Sequence, residues 1–321
     1  MPAKDSPFFG EVTPMALDEA TAQFLKQLGE AGSSPLHELT LTAARTMYAQ
    51  LHSLSGQGPP MARIADVTIE SEDGASIPAR VLTPTTTPRG VIVYYHGGGW
   101  TVGSIDDVDA VGRHLAERTN CTVVLVGYRL APEHPFPAAS RDAYAALCWV
   151  AVALPGQPIV VAGDSAGGNL SAVVARRTRD DGGPVIDLQV LIYPATDCDL
   201  DRASYHDPAN QLLLDRHAMV WFWDHYVPDP ARRADPDASP LLAVDLSGLP
   251  PAVFVLPEHD VLSEEGEAYA ERLRQAGVPV QLQRAAGQMH AFFPLVGVLP
   301  GSLAALTRVA ESIDAALTRP K

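Results

Sequence analysis

A chain of 321 residues is long enough for one large domain with its own core, and a 46% share of hydrophobic residues excludes a disordered polymer. With 23 Lys and Arg against 38 Asp and Glu, the net charge of −15 repels phosphate backbones, which excludes nucleic acid as an expected partner and favours small neutral ligands over polyanions. The opening stretch, MPAKDSPFFGEVTPM, lacks the continuous apolar segment of a secretory leader, and no run is long enough to span a bilayer. Three cysteines, Cys121, Cys148 and Cys198, cannot all pair and do not have metal-ligand spacing. The expectation is a cytoplasmic protein with reduced thiols, no metal and no cofactor.

In chain order, Leu17, Thr21, Phe24, Leu25 and Leu28 fall on one face of a first helix. A second helix is expected to open at Ser34-Pro35 and to carry Leu39, Ala43, Met47 and Leu51 as a stripe. The loop chemistry of SGQGPP (55–60) suggests a boundary, dividing helices over 1–55 from a main domain over 56–321. Two short strands, 67–71 and 76–84, come next. Apolar β-rich runs at 91–96, 121–128, 158–164, 187–194, 251–257 and 279–285 then alternate with helical stretches near 106–119, 137–153, 166–179 and 264–276, and a last helix covers about 302–317. Strands that are apolar throughout and separated by helices predict an α/β fold, a mostly parallel sheet with helices on both faces. The segment from about 197 to 236 breaks the rhythm with HAMVWFWDHYV (217–227). It is too long for a plain connection and is expected to join the N-terminal helices in a helical cap.

Three motifs carry chemistry. The strand PIVVAG runs into GDSAGG (163–168) and a helix, the G-x-S-x-G pattern in its strand–turn–helix context, which presents Ser165 at a sharp turn as a nucleophile. HGGGW (96–100) ends the strand at 91–96. Glycines there let backbone N–H groups approach a developing oxyanion, with Gly97, Gly98 and Ala166 as the expected donors. His96 is read as an anchor for that loop. Two late strands are followed by EHD (258–260) and QMH (288–290), which places Asp260 and His290 as the acid and the base in the chain order this chemistry requires. Glu258 is too near Asp260 to be set aside by spacing, whereas Asp197, Asp199 and Asp201 come one strand too early. Trp100, Asp164 and Phe292 are candidate substrate contacts. Trp221, Phe222 and Trp223 are expected mainly to pack the cap.

HGGGW, YRLAPEHPFPAA (128–139) and GDSAGGNL (163–170), continued by LIYP (191–194) and SPLLAVDLSGLPPAVFVL (239–256), resemble the hormone-sensitive-lipase family of esterases from about residue 60 onward. The resemblance implies an α/β-hydrolase fold, a carboxylesterase acting on short-chain acyl esters, Ser165–Asp260–His290 as its triad, and a homodimer through the last strand. The chain departs from the family pattern at Asp260-Val261-Leu262, at His290-Ala291-Phe292 and at Ser263-Glu264-Glu265-Gly266, none of which removes a catalytic group. An amidase or lactamase using the same acyl-enzyme remains open. A non-catalytic binding protein on this scaffold is also open, although plant receptors of that kind lose the histidine that is present here.

Overall fold

The structure, a computed structural model, describes residues 16–32 and 34–318. The β-branched runs form a sheet of eight strands: β1 (Arg63–Glu70), β2 (Ser76–Thr83), β3 (Val91–Tyr95), β4 (Thr122–Val126), β5 (Ile159–Asp164), β6 (Leu188–Ile192), β7 (Ala252–His259) and β8 (Val280–Met289). The spatial order is β1-β2-β4-β3-β5-β6-β7-β8. The first two strands are antiparallel to their neighbours and the remaining six run parallel.

The central strands are buried along their whole length because both faces are covered. Alternation along β3 sends its side chains to opposite layers. Val91, Val93 and Tyr95 join Leu147 of α4 (Ala138–Ala153) and Leu170 of α5 (Ala166–Asp181). Ile92 and Tyr94 join Val111 and Leu115 of α3 (Asp109–Thr119) and Val309 and Ile313 of α8 (Pro300–Thr318). α7 (Ser263–Gln275) packs on β7. No helix among the described residues is long and apolar enough to cross a membrane.

Chain connections leave β3 toward β4 on one side, then return to β5 and proceed through β6, β7 and β8 on the other. The strand order therefore reverses between β3 and β5, and a crevice opens at their carboxyl ends, where open α/β sheets bind ligands. Three helices outside the layers border that crevice: α1 (Glu19–Glu30), α2 (Leu41–Ser53) and α6 (Arg216–Tyr226).

Two elements differ from their sequence expectation. The second helix does not open at Ser34-Pro35. Residues Leu36–Glu38 make a single 3-10 turn, Leu39 returns to extended backbone, and the Thr40 hydroxyl accepts the Ala43 N–H to start α2 at Leu41. β8 runs to Met289 instead of ending near 285. An irregularity in its pairing with β7 between Pro257 and His259 lets the ladder resume at His259 opposite Met289.

Candidate active site

That resumed pairing matters chemically, because the next residues on the two strands are Asp260 and His290. The His290 Nδ1 lies 2.8 Å from Asp260 Oδ2, and its Nε2 lies 3.0 Å from Ser165 Oγ. Asp260 is fully buried, and its other oxygen accepts the Leu262 N–H at 2.9 Å, so the carboxylate is fixed from both sides. Its own N–H donates to Asn210 Oδ1. Glu258, left open by spacing, is turned away: its carboxylate accepts the Gly287 N–H.

Ser165 follows β5 at φ 55°, ψ −117°, a strained conformation that lifts its side chain to the first turn of α5. Neighbouring backbone demands glycine here. A Cβ on Gly167 would collide with the Tyr95 carbonyl, and one on Gly163 with the Gly167 carbonyl. In the parallel register Tyr95 sits beside Gly163, which brings the loop after β3 against the serine.

The oxyanion loop differs from expectation at one position. The Gly97 N–H donates to Asp164 Oδ1 at 3.1 Å, and that oxygen also accepts the Tyr94 hydroxyl at 2.8 Å, so Gly97 has no donor left to offer. The N–H groups of Gly98, Gly99 and Ala166 have no partner among the described residues, and both Gly98 and Gly99 line the cavity. Burial pushes the Asp164 carboxyl up to about 6, against the opposing pull of the Tyr94 hydrogen bond. His96 is buried and stacks on Tyr128 at 4.3 Å, and its Nδ1 lies 2.7 Å from the Gly97 carbonyl. Burial lowers its pKa to about 4, so the ring is neutral and braces the loop.

The cavity above Ser165 measures about 510 Å³. Its walls are leucine-rich, with Leu25 and Leu28 from α1, Leu51 from α2, and Leu212, Leu213 and Leu214 ahead of α6. Of the expected substrate contacts, Asp164 borders this space. Trp100 does not: its ring is buried and stacked on Tyr226 at 4.1 Å, where it holds α6 to the loop. Phe292 is also buried, against Tyr193 and Phe293, because Ala291 at φ 63° turns the chain inward. Phe222 takes the wall position next to Gly99, while Trp223 is buried beside Trp100. Sequence reading missed Tyr48 and His52, two polar residues of α2 on the cavity wall.

Residues 92–294 match a family model described by its alpha/beta hydrolase fold. The chain belongs to that α/β-hydrolase family. Within it the protein sits among the hormone-sensitive-lipase-like carboxylesterases. It is 42% identical over 274 residues to the carboxylesterase NlhH of Mycobacterium tuberculosis, covering 80% of this chain and 84% of that one. It is 35% identical to an ethyl acetate hydrolase of Pseudomonas putida over 94% of this chain and 99% of that one. A hyperthermophilic esterase from the archaeon Pyrobaculum calidifontis superposes with a TM-score of 0.88 at 38% identity, covering 94% and 99% of the two chains.

Behind Asp260 lies a second buried carboxyl. Glu265 accepts the Thr196 N–H at 2.7 Å and the Tyr205 hydroxyl at 3.0 Å, bracing the segment after β6. From that segment the Ser204 hydroxyl reaches the Val261 carbonyl, and Asn210 ties the Ser204 carbonyl to the Asp260 N–H. Burial is the main reason the Glu265 pKa rises from 4.5 to about 8. The folded state thus holds this proton more tightly than the unfolded chain. The resulting stabilisation is complete below pH 4.5 and is lost as pH rises toward 8. Glu265→Gln removes the titration while keeping the shape. Its urea-unfolding free energy is expected to gain on the wild type by on the order of 4 kcal/mol between pH 5 and pH 8. A difference that stays constant across that range contradicts a carboxyl protonated in the fold.

Proposed function

We propose that the protein hydrolyses short-chain carboxylic esters through an acyl-enzyme on Ser165. His290 Nε2 takes the serine proton as Oγ attacks the ester carbonyl, and Asp260 holds the imidazole in the tautomer that leaves Nε2 free. The tetrahedral oxyanion is received by the N–H groups of Gly98, Gly99 and Ala166, aided by the N-terminal end of α5. His290 then protonates the departing alcohol, and a water activated by the same nitrogen releases the acid. The observation that carries this reading is the unbroken chain from Asp260 through His290 to Ser165, at 2.8 and 3.0 Å, on the floor of an apolar cavity with unpartnered backbone donors beside it.

No Lys or Arg among the described residues lines the cavity, which suits a neutral ester. We assign α1, α2 and the 197–236 insertion to a cap over the catalytic body, because their side chains form its upper wall. Arg45 of α2 supports this by clamping both oxygens of Glu133 and the carbonyls of Thr101 and Ala131 next to the oxyanion loop. Three free cysteines suit a reducing compartment, in line with a cytoplasmic enzyme. β8 is one of the two edge strands of the sheet, and we place a homodimer contact there, which a concentration-independent monomer mass would exclude.

Matched p-nitrophenyl butyrate and p-nitrobutyranilide test the reaction class. The ester is expected to turn over far faster than the anilide. Comparable rates would move the assignment to an amidase, and binding without turnover to a receptor.

A further inference from the structure

Two polar side chains on the cavity wall have no part in the acyl-transfer steps. Tyr48 and His52 stand four residues apart on α2, hence on one face, and their rings meet at 4.2 Å. Both line the cavity that holds Ser165 and His290. The Tyr48 hydroxyl makes no hydrogen bond among the described residues and is not sealed by protein, so it opens to the cavity. His52 is 3% exposed, and neither ring nitrogen has a partner among the described residues.

Buried polar groups are normally paired, and a wall that sets an unpaired buried imidazole against a phenol open to the cavity beside a nucleophile is suited to a partner that arrives with the ligand. The charge of that partner is also constrained. Burial, reinforced by the charge of Asp164, raises the Tyr48 phenol well above its ordinary value, and burial lowers His52 to about 4. Both groups are therefore neutral at pH 7. The carboxyl side chains of Asp164 and Asp215 border the same space, which no Lys or Arg among the described residues lines. A carboxylate on the substrate would be repelled, whereas a neutral hydroxyl can accept a hydrogen bond from the phenol.

We propose that Tyr48 is a specificity-determining residue that hydrogen-bonds a second, neutral oxygen of the substrate, so that the preferred esters carry a hydroxyl beyond the ester group, as in hydroxy-acid esters and monoesters of diols. This rests on the serine esterase reading above.

The test compares kcat/KM for ethyl butyrate, ethyl 3-hydroxybutyrate, 2-hydroxyethyl butyrate and monoethyl succinate in the wild type and in Tyr48→Phe, which keeps the ring and its packing on His52. The wild type is expected to favour at least one hydroxy ester over ethyl butyrate by about tenfold and to disfavour the succinate half-ester. Tyr48→Phe is expected to bring the hydroxy-to-parent ratio close to one, mainly through KM of the hydroxy ester. A wild type without that preference overturns the inference with no variant needed. A variant that keeps the ratio, or loses both substrates in equal proportion, also overturns it. Failure on all four esters, with no labelling of Ser165 by a fluorophosphonate, would instead sink the esterase reading, because a labelled enzyme that ignores the hydroxyl contradicts only the role of Tyr48.

Discussion

Ser165→Ala is expected to lower kcat for p-nitrophenyl butyrate by roughly 10⁵- to 10⁶-fold, the scale seen when a triad nucleophile is removed. The size follows from the geometry. Ser165 Oγ is the atom 3.0 Å from the His290 nitrogen, and the turn that presents it is held by close backbone contacts at Gly163 and Gly167. Removing the hydroxyl leaves the oxyanion donors and the cavity in place, so substrate binding survives while the covalent route is lost. The fold is expected to persist, because the Ser165 N–H and carbonyl, which the substitution keeps, make the local bonds to Ile192, Asn169 and Ala195. A variant retaining more than about a hundredth of wild-type kcat would place the nucleophile elsewhere.

Asp260→Asn is expected to cost about 10⁴-fold in kcat with little change in KM. One carboxylate oxygen accepts the Leu262 N–H and the other faces His290 Nδ1. An asparagine that keeps its carbonyl on Leu262 must point its NH₂ at Nδ1. That nitrogen then has to be the unprotonated one, the ring proton moves to Nε2, and Nε2 can no longer take the serine proton. Glu258→Gln provides the contrast. Its carboxylate accepts the Gly287 N–H and does not reach the imidazole, so its kcat is expected to stay within about tenfold of the wild type. Equal losses in the two variants would contradict the assignment of Asp260 as the partner of His290.

Much of this was legible in the sequence, for identifiable reasons. The central strands are continuous apolar runs, and a doubly covered parallel sheet produces that pattern. Ser165, Asp260 and His290 each follow directly on the last residue of a strand, so chain order alone could bring them together. What escaped notice depends on three-dimensional detail. Nothing in HGGG says which N–H is already taken, and Gly97 loses its donor to a carboxylate 67 residues away. Trp100 and Phe292 lie next to functional residues in the chain, but positive-φ backbone at Trp100 and Ala291 turns the rings into the core. The apolar stripe of α2 does not itself say what it faces: Met47 and Leu51 line the cavity, with Tyr48 and His52 beside them. A helix bordering an apolar cavity has the same periodicity as one packed on a core, and only the missing hydrogen-bond partners distinguish its polar residues.

The most direct test of the proposed chemistry is covalent labelling with a fluorophosphonate, followed by mass spectrometry of the digested protein. The geometry predicts one adduct per chain, on Ser165 in the peptide containing GDSAGG, and none in Ser165→Ala. An unlabelled wild type that nonetheless hydrolyses esters, or an adduct on another residue, would contradict an acyl-enzyme formed at Ser165.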